Sequence, residues 1–119
     1  MSTRTAQIPC SLAQHLYDRV ADLSQPELRT AVDDFLYHQP PNPVTREVLI
    51  KLRDTNTQIK RNRQITFNVL KSTREGIKAL ATKEGITMSA VLRRAVYEYT
   101  KPADDEDLLA MYDGWGDVA

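Results

Sequence analysis

The chain has 119 residues, near the usual size of one domain, and this length argues against a large enzyme fold. Its single cysteine, Cys10, excludes an internal disulfide and a CxxC pair, and no stretch approaches the apolar length that a membrane span requires. The net charge of zero hides a pattern. Residues 46–101 carry 13 basic and five acidic side chains, whereas residues 102–119 carry six acidic and no basic ones.

Residues 1–43 are predicted to form an N-terminal helical hairpin. Ser11 with Gln14 and Ser24 with Glu27 have the spacing of capping boxes, and Pro26 suits the first turn of the second helix. Apolar residues then recur at helical spacing behind each cap. The two stripes are Leu12, Leu16, Val20 and Leu23, and Leu28, Val32, Phe35 and Leu36.

The proline-rich run 39–43 is the clearest internal boundary, because each proline disfavours the helical conformation in the residue before it. Residues 44–61 follow as a connecting helix. Asn42 is its expected cap and Pro43 its first residue, with an apolar stripe through Val48, Leu52, Thr55 and Ile59.

Residues 62–101 are predicted to form a strand and two helices. Polar and apolar residues alternate from Arg63 to Val69, which is the period of a strand. Ser72 or Thr73 then caps a helix that Gly85 ends, and Thr87 caps a second helix that Pro102 closes.

A lone strand leaves its backbone N–H and C=O groups unpaired, so we expect it to pair with the same strand of a second copy. The predicted fold is therefore mainly α with one short strand, a β-α-α dimer with an N-terminal helical extension and an acidic C-terminal tail. The residues predicted to form the dimer core are Ile65, Phe67, Val69, Ile77, Leu80, Val91, Leu92, Ala95 and Val96. The N-terminal helices could extend the dimer to a tetramer.

The outward face of such a ribbon predicts a DNA-reading surface. Gln64, Thr66 and Asn68 are candidates for base contacts, because a two-stranded ribbon fits the major groove and amides can form paired hydrogen bonds with adenine. Basic side chains beside the strand and the start of the last helix are suited to phosphate. The predicted phosphate-binding residues are Arg61, Arg63, Lys71, Thr87, Met88 and Ser89.

The strand, the glycine-terminated helix and the pattern Ser89-Ala-Val-Leu-Arg-Arg-Ala-Val96 together resemble the ribbon-helix-helix family, which includes the Arc, MetJ and CopG repressors. The resemblance covers residues of about 60 to 100. It implies a dimeric DNA-binding module in which Gln64, Thr66 and Asn68 match base-contacting positions. Ala90 departs from the glutamate that often completes the capping box, and the N-terminal extension lies outside the common core.

The acidic tail, residues 102–119, admits three interpretations: a solubilising end, a strip that folds back over the basic module, or a segment that binds another protein. Apolar and aromatic residues among the acids favour partner binding. The candidate contacts are Leu108, Leu109, Met111, Tyr112 and Trp115. A tail that neutralises a partner enzyme, as in antitoxins that also repress their own operon, is the alternative function.

The sequence therefore predicts a cytoplasmic, sequence-specific DNA-binding regulator, most simply a repressor of plasmid or phage origin. No nucleophile elbow, glycine-rich phosphate loop or paired histidine suggests an enzyme, and no cofactor or metal is expected. Cys10 is expected to be an inert thiol, and His15 and His38 have no ligand-spaced partners.

Overall fold

The computed structural model describes residues 4–40, 46–54, 60–101 and 108–113. These residues form a two-stranded antiparallel sheet and six helices. In chain order the elements are β1 (Thr5–Leu12), α1 (Gln14–Val20), α2 (Gln25–His38), α3 (Arg46–Asp54), β2 (Arg63–Leu70), α4 (Lys71–Glu84), α5 (Met88–Thr100) and α6 (Leu108–Asp113).

The two strands form a ribbon within one chain. β2 pairs along its whole length with β1, so that Ile8 lies opposite Phe67 and Cys10 opposite Ile65. The prediction of a mainly α chain whose lone strand pairs with a second copy is therefore wrong. The N-terminal strand was missed because Pro9 interrupts its alternating pattern and because Ser11 was interpreted as a helix cap.

The outer edge of β2 is hydrogen-bonded to side chains of α2. The Gln25 side chain donates to the carbonyl of Thr66 at 2.8 Å and accepts from the N–H of Asn68 at 3.0 Å. The Nε of Arg29 donates to the carbonyl of Asn68 at 2.6 Å. These bonds satisfy three edge groups of β2 that would otherwise need another strand or water.

The chain repeats one arrangement of elements. A first unit (β1, α1, α2) and a second unit (β2, α4, α5) each consist of a strand followed by two helices, and α2 packs against α5. Equivalent helices start alike: Ser24 and Thr87 cap α2 and α5 through their side chains, and Ala13 and Leu70 precede α1 and α4 in extended conformation. The antiparallel ribbon therefore relates the two units by an approximate two-fold axis.

The residues predicted to form a dimer core are buried in the core of the single chain. Eight of the nine are at most 5% exposed, and Ile65 is half-buried. The first unit supplies the facing half of this core, which the sequence interpretation had assigned to a second copy. Its buried apolar residues are Ile8, Cys10, Leu12, Leu16, Val20, Leu28, Ala31, Val32 and Phe35.

The predicted helix boundaries are partly confirmed. The capping box of Ser24 and Glu27 is formed, Gly85 has φ 68° in the left-handed region, and Thr87 accepts from the N–H of Ala90. The other predicted caps are wrong where they can be compared: α1 begins after Ala13 and not after Ser11, and α4 begins after Leu70, two residues before the predicted cap Ser72. The expected cap and C-terminal end of the connecting helix, Asn42, Pro43, Thr55 and Ile59, lie outside the described residues.

The described part of the tail folds back onto its own chain. Helix α6 packs against α1, α3 and α5, with Ala110 and Asp113 fully buried. Asp113 accepts from the N–H of Ala13 at 2.9 Å and from Nε of Arg61 at 2.6 Å. Of the three interpretations of the tail, the structure shows the folded-back one for residues 108–113.

Across the described ranges, no helix combines the length and the apolar character needed to traverse a lipid bilayer.

Candidate nucleic-acid interface

The outward face of the ribbon carries short polar side chains. In an antiparallel pair, residues directly opposite each other share a face, so the face is formed by cross-strand pairs. These are Thr5 with Leu70, Gln7 with Asn68, Pro9 with Thr66, and Ser11 with Gln64. All are exposed except Asn68, which is half-buried, and neither strand contains an acidic residue.

The three predicted base-reading residues lie together on this face. Gln64 and Thr66 are exposed. The amide oxygen of Asn68 is buried and has no hydrogen-bond partner, which is unfavourable for a polar atom. The sequence interpretation missed Gln7 and Ser11 on the opposite strand; the period-two burial of Ile8, Cys10 and Leu12 is the signal that could have identified them.

Two predicted phosphate contacts lie at opposite ends of the ribbon. Lys71 is exposed, and its N–H donates to the carbonyl of Arg4 at 3.1 Å, which places a second exposed basic residue at that end. Arg63 is exposed at the other end, where its Nε donates to Oε1 of Gln14 at 2.7 Å and its guanidinium lies 5.5 Å from the Tyr17 ring centre. The ribbon thus has an exposed basic residue at each end.

Arg61, a third predicted phosphate contact, is already paired inside the protein. Its side chain is 22% exposed and forms an ion pair with the fully buried Asp113. A charge paired in this way is poorly available to an external phosphate. Arg61 therefore helps to hold the tail against the chain and does not belong with the exposed basic residues.

The two arginines of α5, Arg93 and Arg94, are buried. Arg93 donates to the carbonyls of Asp113 at 2.9 Å and Ser11 at 3.1 Å, so it links β1 to the tail. Arg94 pairs with Glu84 and lies over the Phe35 ring. Burial lowers the pKa of Arg94, and Glu84 opposes that effect. The spacing of apolar residues along α5 could not reveal the partners of Arg93 and Arg94, because all of these partners lie on other elements.

The first turn of α5, the predicted phosphate anchor, lies beside β1. Thr87, Met88 and Ser89 are half-buried, and the carbonyl of Ser89 accepts from the Cys10 thiol at 3.6 Å. This turn contains no acidic residue. The equivalent turn of α2 contains Glu27 within the capping box. A negative side chain at a helix start disfavours phosphate there, so the two helix starts differ in what they can bind.

Cys10 is buried beneath the ribbon. Loss of solvation raises the pKa of its thiol to about 11, although the nearby Arg93 charge acts in the opposite direction. Thiolate is the nucleophilic form, so this cysteine is poorly reactive at neutral pH.

A cavity of about 280 Å³ lies between α2 and α5, near their C-terminal ends. Its walls include Phe35, His38 and Glu98. Both helices begin beside the ribbon, so the cavity is at the far end of the helix pair. Within the described ranges, histidine, cysteine and carboxylate side chains form no cluster of three suited to a metal ion.

The predicted partner contacts of the tail are placed in part. Leu108, Leu109, Met111 and Tyr112 are half-buried against the chain itself, and Trp115 lies outside the described residues. A protein partner for the tail stays a prediction.

Comparison of the chain with protein-family models, with curated proteins and with solved structures finds no match.

Proposed function

We propose that this chain binds double-stranded DNA sequence-specifically and acts as a transcriptional repressor, with its ribbon inserted into the major groove. One observation carries the proposal: a two-stranded antiparallel ribbon exposes amide and hydroxyl side chains between basic residues at both ends. A ribbon of this kind fits the groove, and its amides and hydroxyls can bond to base edges there. Such a regulator acts in the cytoplasm.

The charge distribution supports the proposal despite the net charge of zero. Asp113 of the acidic tail is internal, where it pairs with Arg61 and approaches Arg93 within 3.8 Å. Arg4, Arg63 and Lys71 remain exposed around a ribbon without acidic side chains. The field that DNA meets at this face is set by these local charges rather than by the total.

The resemblance of residues 60 to 100 to ribbon-helix-helix repressors supports the same function, with one change. Here the second strand comes from the N-terminal part of the same polypeptide. A single chain therefore supplies both halves of the surface that we propose to enter the groove, without a second copy.

The test is selection of DNA fragments from a random library by the purified full chain, followed by affinity measurements at several salt concentrations. We expect one enriched sequence. Gln64→Ala should reduce the preference for that sequence about tenfold, since one good base contact contributes about 1–3 kcal/mol. Lys71→Ala should weaken binding to all sequences alike and lower the salt dependence.

Lys101→Ala is the matched control, because this exposed lysine follows the C-terminal end of α5, a helix that begins beside the ribbon and runs away from it. It removes the same charge as Lys71→Ala and should leave affinity unchanged. Failure to enrich any sequence, or equal losses in the Lys71 and Lys101 variants, would contradict the proposal.

A further inference from the structure

The ribbon has an approximate two-fold axis at its centre. Ala13 and Leu70, the residues before α1 and α4, are 57 positions apart, and so are Pro9 and Thr66, which lie opposite each other in the ladder. An axis that exchanges the two units therefore passes between Pro9 and Thr66. The same spacing makes Gln7 equivalent to Gln64 and Ser11 equivalent to Asn68.

Each end of the outward face therefore has one glutamine, but the residue opposite that glutamine differs between the two ends. At one end, the Gln7 end, Gln7 lies opposite Asn68; at the other, the Gln64 end, Gln64 lies opposite Ser11. Two amides stand at the first end, and one amide and one hydroxyl at the second. Asparagine can form two hydrogen bonds with adenine, whereas the serine hydroxyl can hydrogen-bond to several different bases.

Asn68 is held in place and has unused hydrogen-bonding capacity. Its backbone is fixed on both sides by Gln25 and Arg29, while its amide oxygen has no hydrogen-bond partner. Rotation of the side-chain amide into a groove would provide that oxygen with a donor. Ser11 is equally fixed, because its carbonyl accepts from Arg93, but it offers only a hydroxyl.

The groups available to phosphate are also unequal. Arg4 and Lys71 lie together at the Gln7 end, whereas Arg63 at the Gln64 end is engaged with Gln14. Beside β1 the start of α5 has no acidic residue, whereas beside β2 the start of α2 carries Glu27. The two ends of the ribbon therefore differ both in the groups that face bases and in the groups that can bind phosphate.

We infer that one chain recognises one asymmetric DNA site, with the stricter base preference at the Gln7 end. A ribbon built from two identical chains presents the same side chains to both half-sites and so favours a palindrome. This ribbon presents unlike side chains from one chain. The inference rests on the proposed function and names the kind of site that it requires.

The test compares the sequences selected by the full chain with those selected by two exchange variants. The native chain should select a non-palindromic sequence and bind it as one chain per duplex in sedimentation. Asn68→Ser makes the two ends alike, so it should lower the preference at one half-site about tenfold and bring the selected sequence closer to a palindrome. Ser11→Asn should instead sharpen the preference at the other half-site.

Both exchanges leave the buried face of the ribbon unchanged, and thermal unfolding establishes that each variant is folded. A palindromic site that binds two native chains would overturn the inference and leave the proposed function intact. An unchanged selected sequence in both exchange variants would also overturn it. Absence of any selected sequence would instead contradict the proposed function itself.

Discussion

The first and second units share an order of elements and differ in almost everything that faces outward. Helix α1 has seven residues where α4 has 14, and α6 packs against the shorter helix. The first unit joins α6 through the N–H of Ala13, whereas exposed Lys71, Arg74 and Lys78 keep the surface of α4 basic. The comparison shows that one backbone arrangement tolerates quite different surfaces when its buried face is kept apolar.

The largest expected effect concerns the centre of the ribbon. Phe67 and Cys10 are equivalent positions, both at most 1% exposed, but they differ greatly in volume. Phe67→Ala should lower the free energy of unfolding by about 3–5 kcal/mol, because it leaves a large cavity. Cys10→Ala should cost about 1 kcal/mol. Urea denaturation measures both, and equal losses would contradict the view that Phe67 fills more of the ribbon's centre than Cys10 does.

Removal of the buried carboxylate should have the next largest effect. Asp113→Ala leaves Arg93 and Arg61 without their buried partner, and we expect a loss of about 3 kcal/mol in the free energy of unfolding. Glu75→Ala, which breaks the exposed pair with Arg74, is the control and should change little. A similar small change for both variants would show that α6 does not stabilise the first unit.

Alkaline pH should destabilise the protein through the first unit, which alone places a thiol beneath the ribbon. Burial raises the pKa of Cys10 from 9.0 to about 11. Between these pH values the folded protein keeps the thiol proton, whereas the unfolded chain releases it. The thiol's contribution is present below pH 9 and is lost as the pH rises towards 11, by up to about 2 kcal/mol. The native chain should begin about 1 kcal/mol more stable than Cys10→Ala, and over this range the difference in unfolding free energy should fall through zero and change sign. A constant difference would contradict the assignment.

The smallest expected effect compares the equivalent helix caps. Thr87 accepts from the N–H of Ala90 at 3.0 Å in a partly buried setting, and Ser24 accepts from the N–H of Glu27 at 3.4 Å in an exposed one. Thr87→Ala should cost about 1 kcal/mol and Ser24→Ala about half of that. Thermal unfolding of the two variants measures which loss of stability is larger. A larger loss for Ser24→Ala would mean that other contacts around the caps outweigh the hydrogen bonds.

The sequence predicted the second unit far better than the first. Regular alternation in β2, Gly85 at the end of α4 and the cap at Thr87 are local signals, and local signals are readable without tertiary information. Strand β1 has the same length as β2 but contains Pro9, a residue that is uncommon within strands, so its local pattern is weaker. It is a strand because β2 lies beside it, which is a long-range cause.

The same distinction applies to the candidate interface. Gln64, Thr66 and Asn68 were predicted to lie on the exposed face, and the structure brings Gln7 and Ser11 next to them. Arg61, Arg93 and Asp113 form contacts between residues far apart in the chain. Spacing along the sequence gives no indication of such contacts.

Pairing of β1 with β2 inside one polypeptide makes formation of the ribbon a unimolecular event. The ribbon then forms without a second copy, whereas an obligate homodimer falls apart as its concentration drops. For a DNA-binding protein of this design, occupancy of a site would rise in simple proportion to the number of molecules at low occupancy. Under the proposed function, control of a target would therefore have no concentration threshold set by assembly of a dimer.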